Sequence, residues 1–138
     1  MTRINLIPVE ELTNQHLMAE YRELPMVARA LERTIASKAG FRFEKIPKKY
    51  VLGAGHVYFF FNKVSFLIKR YYALIRELKF RKFEINPESR NMHWDAFEPD
   101  SVYIEQIEWE PSEEEIAINR ARINEKISIK PEWYRKSR

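Results

Sequence analysis

The chain has 138 residues, of which 45% are hydrophobic and 14% aromatic, enough for one packed core. It contains no cysteine, which excludes disulfides, thiolate zinc sites and a cysteine nucleophile. Its histidines, at positions 16, 56 and 93, do not form an i, i+4 pair, so we expect no metal and no cofactor. No apolar run reaches the roughly 18 residues of a membrane span, which predicts a cytoplasmic protein without membrane contact.

Charge is unevenly distributed along the chain. The formal net charge is +4, but residues 38–90 hold 13 Lys and Arg against 4 Asp and Glu, residues 91–115 hold none against 9, and residues 116–138 hold 7 against 2. A basic middle and a basic tail fit a protein that binds nucleic acid. Blocks of like charge are also common on ordinary solvated surfaces, so charge alone leaves both interpretations open.

Thr2 follows the initiator methionine, which is usually removed when the next residue is small. The mature chain would then begin with an α-amine, whose pKa of about 7.7–8.0 leaves part of it unprotonated and nucleophilic at neutral pH. Thr2 is therefore a candidate catalyst, although many proteins carry threonine there for no chemical reason. A retained Met1 would convert the amine into an unreactive amide.

The first predicted element is a long amphipathic helix over residues 14–38. Its apolar residues alternate in steps of four and three, which is the period of one helix face. Thr13 or Asn14 is a suitable N-cap, and Gly40 follows the predicted end.

Pro25 lies inside this helix, where it removes one backbone hydrogen bond and crowds the carbonyl of Tyr21, so we expect a bend near Glu23. On a helical wheel Glu23, Glu20 and His16 fall at the edge of the apolar stripe, next to a basic sector. That sector comprises Arg22, Met26, Arg29 and Arg33. A carboxylate at such a border is partly desolvated, which suits it to proton transfer. The alternatives are a solvated Glu23 paired with an arginine and a His16 that only makes hydrogen bonds within its helix.

Two segments precede the acidic connector. The run VLGAGHVYFFF at residues 51–61 combines two glycines with aromatic residues and predicts a tight loop that leads into a buried segment. Apolar residues then recur at helical spacing and predict a helix over residues 63–82. The connector over residues 84–111 contains three prolines and little apolar periodicity, so we predict an irregular segment.

The last predicted helix covers residues 113–128. Ser112 and Glu115 have the spacing of a capping box, and Pro131 ends the helix. No repeat, low-complexity segment or Walker-type phosphate loop is present. Long helices alternating with irregular connectors predict an all-α protein, with one compact domain of three main helices over residues 1–138.

Basic residues recur at the carboxyl end of the chain. Arg122 and Lys126 are one turn apart, away from the apolar stripe of the last helix. The tail then places Trp133 and Tyr134 among basic residues, a combination that suits stacking on unpaired bases and binding of phosphates. Terminal aromatic residues also often pack back on the core, so this signal is weak by itself.

Five stretches carry a resemblance to a known family. They are MTRINL at the start, QHLMAEYRELP at residues 15–25, LGAGHV at 52–57, ARINEKI at 121–127 and WY at 133–134. In this order they resemble the pyrimidine-dimer DNA glycosylase family over nearly the whole chain, and the second and third stretches are long and specific. The connector over residues 84–111 matches least well.

The resemblance implies an enzyme of DNA repair. In that family the α-amine of the second residue attacks C1′ of the damaged nucleotide and forms an imine with the opened sugar, and the 3′ phosphate then leaves by β-elimination. For this chain the amine would be that of Thr2. Glu23 matches the family's indispensable carboxylate, which would stabilise positive charge at C1′ and assist the proton transfers. This mechanism needs no metal or cofactor.

The resemblance also implies how the protein binds double-stranded DNA that contains pyrimidine dimers or abasic sites. The N-terminal segment would thread between helices, and a base opposite the lesion would be flipped out instead of the covalently tied dimer. We expect the protein to act as a monomer. The residues expected on the DNA face are Arg3, His16, Arg22, Arg122 and Lys126, with Trp133 and Tyr134 from the tail.

The chain departs from the family pattern at two places. Met26 stands where the best-known member of the family has a basic residue, and the tail ends in YRKSR where that member has more aromatic residues. A non-catalytic DNA-binding or architectural protein would need neither the Thr2 amine nor Glu23, so the presence of both argues against it. A related glycosylase for other damaged bases would share the mechanism and stays open.

Overall fold

The computed structural model describes residues 3–138, so the prediction for Thr2 lies outside the described residues. The described chain is all-helical and contains no strand, which confirms the all-α prediction. Its α-helices are α1 (Asn14–Glu23), α2 (Pro25–Ala36), α3 (His56–Phe59), α4 (Val64–Phe80) and α5 (Glu113–Ile129). Short 3-10 helices occur at Val9–Glu11, Phe43–Lys45, Phe60–Asn62, Pro87–Ser89 and Trp94–Phe97. Between residues 3 and 138 no helix combines the length and the apolar character needed to cross a membrane.

The predicted helix over residues 14–38 is in fact two helices, α1 and α2. Pro25 is the first residue of α2 and has no N–H to donate to the carbonyl oxygen of Tyr21. The guanidinium of Arg90 fills this position: it donates to the Tyr21 oxygen at 2.8 Å and to the Arg22 oxygen at 3.3 Å. It also lies 4.1 Å from the centroid of the Tyr21 ring. The expected bend is therefore a helix break whose freed carbonyls are bound by a distant side chain.

The other helix ends follow the predicted signals. The Thr13 hydroxyl accepts a hydrogen bond from the backbone N–H of His16 at 3.1 Å, which confirms the N-cap of α1. Ser112 and Glu115 form the predicted capping box, with bonds of 3.1 Å and 2.9 Å. α4 and α5 match their predicted bounds to within two residues.

The glycine-rich loop is a tight turn into a buried aromatic segment, as predicted. Gly53 and Gly55 have φ angles of +79° and +87°, which side chains rarely adopt. A Cβ on Gly55 would also lie 3.1 Å from the Pro47 ring. The chain then enters α3, and residues 59–61 are three buried phenylalanines.

The N-terminal segment is threaded between helices, as predicted. Residues 4–7 are all buried. The backbone N–H of Ile4 donates to Nε2 of His56 on α3 at 2.8 Å. The guanidinium of Arg70 on α4 donates to the carbonyl oxygen of Ile7 at 2.6 Å. The segment is therefore held by side chains from different helices.

The connector over residues 84–111 is irregular, as predicted, but it is well attached. Its apolar side chains Met92, Phe97 and Ile104 are buried. The side-chain amide of Gln106 donates to the carbonyl of Phe61 and accepts from the N–H of Val64, both at 2.9 Å. The connector thereby satisfies a backbone donor at the start of α4.

Candidate active site

A cleft of about 420 Å³ opens between the N-terminal segment, α1, α5 and the tail. Its lining consists of Arg3, Asn5, His16, Ala19, Glu20, Glu23, Arg122, Ile123, Lys126 and Tyr134. Six of the residues predicted from the sequence are in this set, namely Arg3, His16, Glu23, Arg122, Lys126 and Tyr134. The fold thus gathers charged and aromatic side chains that are widely separated along the chain.

Helical spacing explains why these side chains share one cleft. On α1 the lining residues are His16, Ala19, Glu20 and Glu23, which are spaced at i, i+3, i+4 and i+7 and so lie on one helix face. On α5 Arg122 and Lys126 are spaced at i and i+4. Both helices therefore contribute polar side chains to the lining of the cleft.

Glu23 is the last residue of α1 and is half-buried at the cleft wall. Its Oε1 accepts a hydrogen bond from the backbone N–H of Arg3 at 3.0 Å. This bond fixes the start of the described segment against the carboxylate. Glu23 therefore lies directly beside the chain that leads back to residue 2.

His16 and Tyr134 form one side of the cleft. Their rings are stacked, with centroids 4.7 Å apart and planes inclined by 6°. His16 Nδ1 lies 2.7 Å from the Thr13 hydroxyl. Burial lowers the pKa of His16, and the positive charge of Lys126 lowers it further. The ring is therefore neutral near pH 7 and serves as a flat, partly apolar wall.

The charge of the cleft is predominantly positive, because its second acid is neutralised. Glu20 is buried and forms a two-point ion pair with Arg70, with distances of 2.7 Å and 3.0 Å. Arg122 contacts Glu125 at 3.3 Å, but that glutamate is exposed and the pair is solvent-screened. The cations Arg3, Arg122 and Lys126 around one half-buried carboxylate suit a polyanion that brings a reactive centre to Glu23.

Arg22 and Trp133 do not line this cleft. They face a neighbouring groove of about 600 Å³, which shares Ala19 with the cleft. Trp133 is 58% exposed there. Arg22 also borders a smaller depression of about 280 Å³ together with Met26, Arg29 and Arg90. The basic sector predicted on the first helix therefore lies on a surface that continues from the cleft.

The tail is fastened along the start of α1. The carbonyl of Arg135 accepts from the N–H of Asn14 at 2.6 Å, and the Arg135 N–H donates to the side chain of Gln15 at 3.0 Å. Further along, the Arg138 guanidinium binds the carboxylate of Glu77 at 2.6 Å and 3.0 Å. These contacts hold Tyr134 on His16, so one tail aromatic packs back on the protein while its neighbour stays exposed.

Several residues that shape the site were not singled out from the sequence. They are Asn5, Arg70, Arg90 and Asn119. A signal existed for Asn119, because it lies three residues after Ile116 and four before Ile123 on the predicted apolar stripe. A polar residue on such a stripe must find a buried partner. Arg90 offered no local signal, since it lies in the irregular connector.

A protein-family model described as pyrimidine dimer DNA glycosylase matches residues 1–91 of the 138-residue chain. The matched part extends from the N-terminal segment through α4 and includes both His16 and Glu23. α5 and the tail, which supply Arg122, Lys126 and Tyr134 to the cleft lining, follow the matched part. The match thus covers the wall on which the candidate carboxylate lies.

Proposed function

The chain belongs to the pyrimidine dimer DNA glycosylase family, and from this premise we propose that it is bifunctional, excising cyclobutane pyrimidine dimers and then cutting the strand as an AP lyase. One observation carries the proposal. The N–H of Arg3 is bound to Glu23 at 3.0 Å inside a basic cleft. Since residue 2 directly precedes Arg3, this bond supports Thr2 as the nucleophile and Glu23 as its partner.

The first step breaks the glycosidic bond. The unprotonated amine of Thr2 attacks C1′ of the damaged nucleotide, and the bond from C1′ to the base nitrogen breaks with its electron pair going to the base. Positive charge develops at C1′ as the base leaves, and the Glu23 carboxylate stabilises it. The C1′–O4′ bond then breaks with its electron pair going to O4′, which takes up a proton lost by the amine nitrogen, and the nitrogen and C1′ form an imine.

The second step cuts the strand. The imine accepts electrons, so the 2′ proton becomes acidic enough for a nearby carboxylate to remove. The electron pair released at C2′ forms a double bond to C3′, and the 3′ phosphate leaves. Water finally hydrolyses the imine and frees the Thr2 amine. Glu23 is the carboxylate of the cleft suited to these proton transfers, because Glu20 is occupied by Arg70.

The cations of the cleft supply DNA affinity in this proposal. Arg122 and Lys126 from α5 line the same cleft as Glu23, so phosphates bound there would hold the sugar near the carboxylate. Arg22 and the exposed Trp133 lie on the neighbouring groove, where they suit contacts to the flanking duplex or to unpaired bases.

The test is borohydride trapping in the presence of a chelator. Duplexes carry a cyclobutane thymine dimer, an abasic site, an oxidised base or no damage. We expect a covalent adduct with the dimer and abasic duplexes and strand cleavage at both when borohydride is omitted. Binding without adduct or cleavage would instead identify a non-catalytic DNA-binding protein. Preference for the oxidised base would identify a glycosylase of different lesion range.

A further inference from the structure

Asn119 on α5 binds three groups of the N-terminal segment. Its side-chain oxygen accepts from the backbone N–H of Leu6 at 2.6 Å and of Ile7 at 3.0 Å. Its side-chain nitrogen donates to the side-chain oxygen of Asn5 at 2.8 Å. Asn119 is fully buried, so these bonds lie away from bulk solvent.

The hydrogen-bond network continues from Asn5 and returns to the same segment at Ile7. The side-chain nitrogen of Asn5 donates to Oε1 of Glu20 at 3.0 Å, and Glu20 is paired with Arg70. Arg70 then donates to the carbonyl oxygen of Ile7 at 2.6 Å. We call Asn5, Glu20, Arg70 and Asn119 the polar ring. Each of its members is buried, and together they bind the segment at residues 5–7.

The polar ring admits one register of the segment. A shift by one residue would move the peptide groups of Leu6 and Ile7 away from Asn119 and Arg70 and leave buried polar groups without partners. Such groups are costly, and members of one network strengthen each other. The polar ring therefore fixes both the register of the segment along the chain direction and its lateral position between the helices.

α1 and α5, which both line the cleft, each bear a residue of the polar ring close to a cleft residue. Glu20 lies one turn before Glu23 on α1, and Asn119 lies one turn before Arg122 on α5. The segment leaves the ring at Asn5 and reaches the bond between Arg3 and Glu23 two residues earlier in the chain. Arg3 is thus placed relative to the carboxylate by the ring and by this bond.

We propose that Asn119 is a positioning residue for excision, which sets the approach of the Thr2 amine to C1′ through the register of the N-terminal segment. This inference rests on the proposed function. Displacing a reacting group by about 1 Å can cost about 100-fold in rate, while substrate binding by distant phosphate contacts is unaffected. A positioning role therefore predicts a loss in kcat with little change in KM.

The test compares Asn119→Leu and Asn119→Ser with wild type on a duplex that carries a thymine dimer. Leucine has a similar volume but no acceptor for the two N–H groups, and we expect kcat to fall about 100-fold with KM within about 3-fold. Serine keeps a hydroxyl that can accept one bond, and we expect a smaller loss. Leu31→Ala on α2, which opens a cavity in the core, is the control for lowered stability and should keep kcat when assayed below its Tm.

The outcomes separate this inference from the proposed function. If wild type forms a trapped adduct at Thr2 and both Asn119 variants form it at the wild-type rate, the positioning role is overturned. A loss confined to KM, or an equal loss in Leu31→Ala, also overturns it. If wild type forms no adduct, the proposed function itself has failed. If Asn119→Leu does not fold, the test depends on Asn119→Ser alone. An unchanged kcat in that variant would overturn the positioning role.

Discussion

The carboxylate of Glu23 and the backbone N–H of Arg3 are joined by a hydrogen bond of 3.0 Å, although 20 residues separate them in the chain. The bond engages one carboxylate oxygen. A glutamine could accept the same bond through its amide oxygen, but it would carry no charge. The substitution Glu23→Gln therefore separates the position of the segment from the chemistry of the carboxylate.

We expect Glu23→Gln to bind a dimer-containing duplex nearly as well as wild type and to excise it slower by orders of magnitude. The reason is that the lost charge acts mainly in the transition state. Binding isotherms and single-turnover excision on the same duplex provide the measurement. Glu32→Gln, which removes a half-exposed carboxylate from α2, is the matched control. Excision near the wild-type rate would leave Glu23 with only a structural role.

The nucleophile can be identified by mass. We expect intact protein to lack Met1 and the reduced adduct to map to the peptide that begins at Thr2. Lys63 is an internal control, because burial lowers its pKa to about 8, close to that of an α-amine, yet its ammonium is buried and donates to the carbonyl of Phe59 at 2.9 Å. It should carry no adduct. Mapping to Lys126, inside the cleft, would contradict the α-amine mechanism.

The elements of the fold that depend on local signals were predictable from the sequence. Apolar periodicity located α4 and α5, and capping residues such as Thr13 and Ser112 marked helix starts. The break after Glu23 was expected only as a bend. The carbonyl of Tyr21 at this break is bound by Arg90 from 69 residues away. No local pattern reports such a contact.

The candidate site was predictable in its chemistry and less so in its geometry. Helical spacing placed His16 beside Glu23, and the family resemblance added Arg122 and Lys126 from a distant helix. The structure gathers these four side chains in one cleft. The polar ring was missed, because it depends on how three helices and the segment meet. Asn119, a polar residue within an apolar stripe, was the sequence signal that indicated the polar ring.

His56 is held in one tautomer by two hydrogen bonds. Nε2 accepts from the N–H of Ile4 at 2.8 Å, so Nδ1 carries the proton and donates to the carbonyl of Val51 at 2.8 Å. Burial lowers the pKa of His56, although the Val51 carbonyl partly opposes this. The unfolded histidine takes up a proton near pH 6.5, whereas the folded one does so only at lower pH. The contribution of His56 to the free energy of unfolding is therefore constant above about pH 6.5 and decreases below it.

His56→Gln should reduce that dependence on pH. A glutamine amide can accept from Ile4 and donate to Val51 without titrating. We expect denaturant unfolding from about pH 7.5 to about pH 5 to show a shallower loss of stability than wild type. An unchanged slope in His56→Gln would show that the buried imidazole is not the responsible group.

Arg90→Met should destabilise the protein by about 1–3 kcal/mol, because it leaves the carbonyls of Tyr21 and Arg22 without their side-chain donors. Methionine keeps much of the apolar stem, so the change reports mainly on the guanidinium. The measurement is the midpoint of urea unfolding. Arg29→Met, on the exposed face of α2, is the control and should shift the midpoint little. Equal midpoints for the two variants would mean that water replaces Arg90 at the helix break.

Met26 is 46% exposed and borders the depression that also contains Arg22 and Arg29. An arginine at this position would add a charge to a surface already suited to phosphate. Each neutralised phosphate contributes about 0.9 to the slope of log affinity against log salt. We therefore expect Met26→Arg to bind undamaged duplex more tightly at low salt and to steepen the slope by up to about one.

Excision should change less than binding in Met26→Arg, because an added phosphate contact stabilises the ground state and the transition state alike. The competing hypothesis is that Met26 packs as a flexible apolar wedge against the distorted duplex. Under that hypothesis Met26→Arg would weaken the discrimination of damaged from undamaged DNA and leave the salt slope unchanged. Met26→Leu is the matched control, since it keeps the apolar surface without adding charge. Binding of both duplexes across a salt series distinguishes the two, because only a phosphate contact steepens the slope for undamaged DNA.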